Sequence, residues 1–279
     1  MGEYSSELEI AKEVAQDAGR LILEVYAAPF DVVEKTGGQG PVTEADSRAN
    51  ELIVERLRRE FPSDSIIAEE SYRRDETASS RRWFVDPLDG TREFVEKNGM
   101  FAVHIGLAVE GHPVAGVVFA PVSGKLYWGS ASVGCWLELE GSRRRLEVPR
   151  KADLKDLHLL VSRAHRSKRT SDIMRRLGIT RVTEQGSVGL KVGLIAEGKA
   201  DLYLHPIPRS SRWDTCAPEA LLRAAGGVLT DSSGAPYVYD GVELENTRGI
   251  IACSPWVLEA VVPILRELAL EIRADVRQA

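Results

Sequence analysis

Residues 83–94 read Trp83-Phe84-Val85-Asp86-Pro87-Leu88-Asp89-Gly90-Thr91-Arg92-Glu93-Phe94, and this stretch restricts the folds open to the chain more than any other. Three apolar residues read as the end of a buried strand. Asp86 and Asp89 follow, with Pro87 between them fixing φ, so the regular strand stops there. Gly90 permits a backbone conformation that a side chain would forbid. Thr91 can cap a following helical turn. The product is a strand end with two carboxylates, a tight turn, and backbone N–H groups at a helix start. Carboxylates with a spare carbonyl suit a hard divalent cation such as Mg2+. N–H groups at a helix start suit a phosphate. Taken alone, Asp-x-x-Asp-Gly-Thr fits a surface turn equally well, because Asp, Pro and Gly are common turn residues.

The rest of the chain supplies company for those acids. Leu8, Ala11, Ala15, Ala18, Leu21, Ile22 and Val25 recur at helical spacing, predicting a helix over 6–27 that Pro29 ends. Residues 37–41 read as a loop. A second helix is expected over 43–60, with Asp46 in its first turn, where an acid complements the helix dipole. Ser65-Ile66-Ile67-Ala68 is a short strand ending in Glu69-Glu70, and acids avoid such positions unless paired or metal-bound. If strands 66–68 and 83–85 are neighbours, these acids meet Asp86 and Asp89. Residues 72–82 read as an exposed loop.

Runs at 101–109 and 114–121, joined by a hairpin turn, and at 126–129, 135–137 and 146–148 continue an antiparallel pattern. Together they predict about six strands packed on the two opening helices, a first domain over 1–152. Alternating strands and helices then suggest a layered second domain over 153–279, with helices at 190–196, from Trp213 to Ala225, and from Pro255 to Arg273. Asp214 falls at a helix start. His104 and His112 have no partner at metal-ligand spacing and read as structural. Arg73-Arg74, Arg81-Arg82 and residues 143–145 read as solvated faces, and the loop of Arg209 and Arg212 as solvated or as a phosphate contact.

A net charge of -6 over 279 residues gives no basic field for nucleic acid or an anionic membrane. Three cysteines, Cys135, Cys216 and Cys253, lack metal-site spacing and fit a reduced, cytoplasmic setting. The acidic, amphipathic N-terminus is unlike a signal peptide. No apolar run approaches a membrane span.

In order along the chain, Glu69-Glu70-Ser71, Asp86-Pro87-Leu88-Asp89-Gly90-Thr91 and Trp213-Asp214 resemble the lithium-sensitive, Mg2+-dependent phosphatase superfamily that includes the inositol monophosphatases. Within it, Asp-Gly-Thr-Arg-Glu-Phe followed by Asn98-Gly99, the run Trp213 to Glu219, and Ser162-Arg163-Ala164-His165 resemble the 3'(2'),5'-bisphosphate nucleotidases. Inositol monophosphatases typically read Asp-Gly-Thr-Thr-Asn-Phe instead. The resemblance implies an α+β fold, the α/β/α/β/α sandwich of the sugar phosphatases. It implies a phosphomonoesterase that removes the 3'-phosphate from adenosine 3',5'-bisphosphate, acting on a small phosphorylated substrate as a monomer or homodimer. An inositol phosphate phosphatase is the alternative, and a non-catalytic phospho-ligand binder a different class.

By the same resemblance, Glu69, Asp86, Asp89 and the Leu88 carbonyl would hold two Mg2+ ions, with Asp214 completing the second. A third, weaker ion would approach through Glu69 and water, and Li+ would inhibit. Asp46 would accept a hydrogen bond from Thr91, a dyad that orients and deprotonates the attacking water. The Gly90 and Thr91 N–H groups would hold the phosphate. Ser162, His165, Ser187 and Lys191 would line the nucleoside and second-phosphate side. Residues 186–191, Gly-Ser-Val-Gly-Leu-Lys, and 37–40 depart from the family's usual pattern.

Overall fold

The structure, a computed structural model, describes residues 2–35, 40–72, 79–150, 153–163, 168–206 and 210–278. Helix α1 (Ser5–Ala27) buries Leu8, Ala11, Val14, Ala15, Ala18, Ile22 and Val25 along one stripe. Strands β1 (Val32–Glu34) and β2 (Pro41–Thr43) form a small antiparallel pair. Helix α2 (Glu44–Glu60) follows, burying Ala45, Ala49, Ile53 and Leu57.

Among the described residues the first sheet has seven strands, where about six were expected. They are β3 (Ser65–Ala68), β4 (Arg81–Asp89), β5 (Ala102–Val109), β6 (His112–Ala120), β7 (Lys125–Ser130), β8 (Gly134–Leu139) and β9 (Ser142–Leu146), in that spatial order. β3 and β4 run parallel, and the later pairs antiparallel. β9 lies a few residues earlier than expected because Arg143, Arg144 and Arg145 themselves pair with β8. They are exposed, and a charged edge strand resists further pairing. Arg82, expected on a solvated face, is buried. Its guanidinium donates to the carbonyls of Ser79 and Gly241 at 3.0 Å each. A short helix, α3 (Thr91–Val95), leaves the end of β4.

Strand alternation gives this sheet two buried faces. Trp83, Val85, Val103, Ile105 and Leu107 pack with α1 and α2. Phe84, Ala102 and Ala108 point the other way, towards the second half of the chain. That half holds β10 (His158–Ser162), α4 (Lys168–Leu177), β11 (Arg181–Gln185), α5 (Val188–Ala196), β12 (Leu202–His205), α6 (Arg212–Ala224), β13 (Val228–Thr230), β14 (Ile250–Cys253) and α7 (Pro255–Gln278). Its five strands are ordered β11-β10-β12-β14-β13. α5 and α6 lie between the two sheets, sharing a core with Leu160, Tyr203 and Ala252. α4 and α7 cover the outer face through Ile173, Leu177, Val257 and Val261. The order of layers is therefore α/β/α/β/α, as the resemblance implied.

α6 lies unusually close to the first sheet. Gly106 and Gly116 face each other across β5 and β6. A Cβ on Gly106 would stand 2.5 Å from the Ala217 nitrogen, and one on Gly116 2.4 Å from its carbonyl oxygen. Two bare backbones thus let the helix rest on the strands. The three cysteines are free and buried. Among the described residues no helix is long and apolar enough to cross a membrane.

Candidate active site

The two carboxylates of β4 share a face because the strand is interrupted between them. Residues three apart on a regular strand point to opposite faces. Here Asp86 stands opposite His104 and Asp89 opposite Ala102, with a shift of register between. The extra residue returns Asp89 to the face of Asp86. Pro87, which lacks an N–H, sits in that break. The Leu88 N–H donates to Asp86 Oδ1 at 3.0 Å. Gly90, at φ 102°, turns the chain into α3.

Asp86, Asp89 and Asp214 each bring a carboxylate oxygen within 4.8 Å of the others. Asp214 comes from the first turn of α6, where its Oδ2 accepts from the Ser211 N–H at 2.7 Å in a capping box. Glu69 reaches the same cavity because β3 pairs with β4, Ala68 opposite Val85, and its own N–H donates to the Val85 carbonyl at 3.1 Å. Its carboxylate is not part of the aspartate group. It accepts from the Lys35 ammonium at 2.8 Å, and the same ammonium meets Glu70 at 2.5 Å. Burial opposes the Lys35 charge, but the two glutamates outweigh it and raise its pKa. Burial and repulsion from Glu69, Asp89 and Asp214 push Asp86 well above the usual carboxylate range. Burial, Asp89 and Glu69 do the same to Asp214. Such a group of like charges calls for a cation.

Thr91 and Asp46 meet as expected. The Thr91 hydroxyl donates to Asp46 Oδ1 at 2.9 Å, and Asp46 Oδ2 accepts from the Thr43 N–H and hydroxyl at 2.8 and 2.7 Å. Asp46 is buried. Burial raises its pKa against the lowering effect of those hydrogen bonds.

A cavity of about 250 Å3 is lined by Glu69, Asp86, Leu88, Asp89, Gly90, Thr91 and Asp214, and also by Ser162, Ser187 and Lys191. His165, Arg209 and residues 37–39 lie outside the described residues. Ser187 spends its hydroxyl on Asp89 Oδ2 at 2.6 Å, so it serves the aspartate group as well as the cavity. Lys191 is buried, its ammonium donating to the carbonyls of Gln185 (3.3 Å) and Gly186. Burial lowers its pKa to about 8, against the pull of Asp89, Glu93 and Asp214.

Several participants were missed from sequence. Arg163, Tyr203 and His205 line the cavity, and Lys35 neutralises Glu69. His104 is no bystander, since its Nε2 lies 3.2 Å from both Asp89 Oδ2 and Ser187 Oγ. The signal was present. In β5 the residues facing α5 and α6 are Ala102, His104, Gly106 and Ala108, and a histidine there has no solvent to face. Arg212 neither lies free in solvent nor lines the cavity. It stacks 4.8 Å over the Tyr237 ring and donates to the Val238 carbonyl at 3.0 Å.

The family model for the inositol monophosphatase family matches residues 3–269 of the 279. The chain belongs to that family. It is 39% identical over 232 residues to the 3'(2'),5'-bisphosphate nucleotidase CysQ of Escherichia coli O157:H7, covering 81% of this chain and 91% of that one. The crystal structure of CysQ from Bacteroides thetaiotaomicron superposes with a TM-score of 0.74 at 30% identity, covering 90% of this chain and 98% of that one. The Thermotoga maritima IMPase superposes at 0.81 with 25% identity, covering 96% and 99%.

In this inositol monophosphatase-family chain, the helix that delivers Asp214 is anchored by a buried polar network. Tyr239 donates its hydroxyl to Glu219 at 2.7 Å with Thr215 Oγ1 3.2 Å from the same oxygen, and Asn246 donates to the Ser211 carbonyl at 2.7 Å. Burial pushes Glu219 up to about 7, with Tyr239 and Arg223 acting against it. Between its usual 4.5 and about 7, the unfolded chain has released this proton and the folded chain has kept it. Stability therefore falls as pH rises through that window, by about 1.4 kcal/mol per unit from this group. Urea unfolding of the wild type and Glu219→Gln at pH 5, 6, 7 and 8 should show a flatter pH dependence in the variant. Identical slopes would contradict the account.

Proposed function

We propose that this chain hydrolyses the 3'-phosphate of adenosine 3',5'-bisphosphate to AMP and phosphate. The observation that carries the reading is the meeting of three aspartates in a cavity that Lys191, Arg163 and Arg92 also line. One region suits a cation-bound phosphate, and the basic residues suit a second anionic group. The relatives named above as bisphosphate nucleotidases support the same substrate class.

The donor set fits Mg2+. It is all oxygen, it is anionic, and its members Asp86 and Asp214 are hard to ionise together without a counter-charge. In this reading Asp86, Asp89, Asp214, Glu69 and the Leu88 carbonyl hold two ions, and Li+ inhibits by taking a place without matching the charge. Bound there, Mg2+ would lower the pKa of water and stabilise the leaving oxygen.

The protein's own groups do the rest. Thr91 donates to Asp46, so its hydroxyl oxygen is left to accept a hydrogen bond from the attacking water. The water's proton passes to Thr91 as the hydroxyl proton passes to Asp46, whose pKa burial has already raised. The Gly90 and Thr91 N–H groups hold the phosphate as charge builds on its oxygens. Lys191 receives the second phosphate, and the arriving anion restores the ammonium that burial disfavours. Glu69 leaves Lys35 to serve a cation.

Inositol phosphate is the second reading, favoured by the superposition on the Thermotoga maritima IMPase. Specificity in such folds rests on a few loop residues. Steady-state assays with adenosine 3',5'-bisphosphate and inositol 1-phosphate, in Mg2+ with and without Li+, separate the two. A higher kcat/KM for the nucleotide is expected, and a higher value for inositol 1-phosphate overturns the proposal.

A further inference from the structure

His104 is wholly enclosed on the face of β5 that meets α5. A Cβ on Gly189 would come within 2.3 Å of its Nε2, so the ring is packed directly against the start of that helix. Nε2 lies 3.2 Å from Asp89 Oδ2 and 3.2 Å from Ser187 Oγ, whereas Nδ1 has no hydrogen-bond partner among the described residues. A neutral imidazole carries one proton. On Nδ1 it would be a buried, unpaired donor, and a bare lone pair would face a carboxylate. On Nε2 it has an acceptor. Asp89 Oδ2 accepts from Ser187 Oγ at 2.6 Å and from the Val188 N–H at 2.5 Å. Two donors therefore fix one carboxylate oxygen, and the imidazole holds one of them, Ser187. The group draws on both halves of the chain, His104 from β5 and the two donors from the start of α5.

We propose that His104 is a positioning residue for cation binding: its Nε2–H holds Ser187 Oγ, whose own proton goes to Asp89 Oδ2, and so fixes the carboxylate with its other oxygen aimed at the ion. This rests on the assignment of Asp89 as a cation ligand. Hydrogen bonds that orient a metal-ligating carboxylate are worth about 10–100-fold in metal affinity.

The test is Mn2+ binding to the full chain, measured by electron paramagnetic resonance without substrate, on the wild type, His104→Leu and His104→Gln. A glutamine amide nitrogen reaches about as far from the backbone as Nε2 does, so it can restore the donor. His104→Leu should raise the Kd for Mn2+ about 10–100-fold, and His104→Gln should return it close to the wild-type value. A purely structural role would lower the melting temperature of both variants and leave Kd alone. Equal Mn2+ binding by wild type and His104→Leu overturns the proposal, as does a His104→Gln variant as weak as His104→Leu. Should His104→Leu not fold, 15N spectra of the wild-type imidazole decide. A protonated Nε2 on His104 is required, and a bare Nε2 overturns the proposal. Failure of the wild type to bind Mn2+ at all would instead remove the cation assignment itself.

Discussion

Asp89→Asn is expected to lower kcat by roughly 10^3-fold or more, while the cation-free protein melts no lower than the wild type. The amide matches the carboxylate in shape but cannot satisfy both sides of its site. Asp89 Oδ2 is met by donors from Ser187 and Val188, so the amide oxygen must take that place. The NH2 group then takes the place of the other oxygen, where it repels a cation instead of ligating one. The same change relieves the repulsion that pushes the Asp86 and Asp214 carboxyls up, which favours the folded state when no ion is bound. Steady-state kinetics with Mg2+, together with thermal melts in EDTA, read both effects. Wild-type turnover in the variant would refute the placing of the cation.

Thr91→Val comes next in size, with an expected loss of about 10^2–10^4 in kcat and little change in KM or in cation affinity. Valine keeps the volume and removes the one oxygen between Asp46 and the cavity. Asp46 would keep its two bonds from Thr43, so the helix start survives. Thr91→Ser, which restores the hydroxyl, should recover most of the rate. A Thr91→Val variant that lost affinity rather than rate would show that Thr91 binds substrate and does not relay a proton.

What was legible in the sequence was whatever repeats or punctuates locally. Spacing in 6–27 predicted α1, and Pro29 marked its end. The carboxylates of 83–94 were legible because Pro87 and Gly90 interrupt a strand between and after them. The interruption itself hides something, since nothing in the residue order alone says that Asp86 and Asp89 end on one face. That follows from the register against β5. His104 and Lys35 escaped for the same reason. Their partners are distant in sequence and near only through the pairing of strands, β4 with β5 and β1 with β2. Arg82 and Arg212 read as solvent-facing because arginine usually is, yet carbonyls at Gly241 and Val238 take up their protons. β9 was misplaced because three arginines in a row do not look like a strand, although an edge strand tolerates them.

Asp46 and Asp214 share a second employment. Each is the third residue of a helix whose start it closes, α2 through Thr43 and α6 through Ser211. Losing such a cap costs a helix about 1 kcal/mol whether or not any chemistry is done nearby. A descendant of this chain that had given up hydrolysis would still be under pressure to keep both. Their presence in a related sequence is thus weak testimony about activity. Asp86 is the better witness. It is buried, and burial, Glu69, Asp89 and Asp214 all oppose its charge, against which the Leu88 N–H offers one backbone hydrogen bond. Without a cation to hold, a lineage would gain stability by replacing it, so its retention says more about continuing catalysis than all the helix-capping acids together.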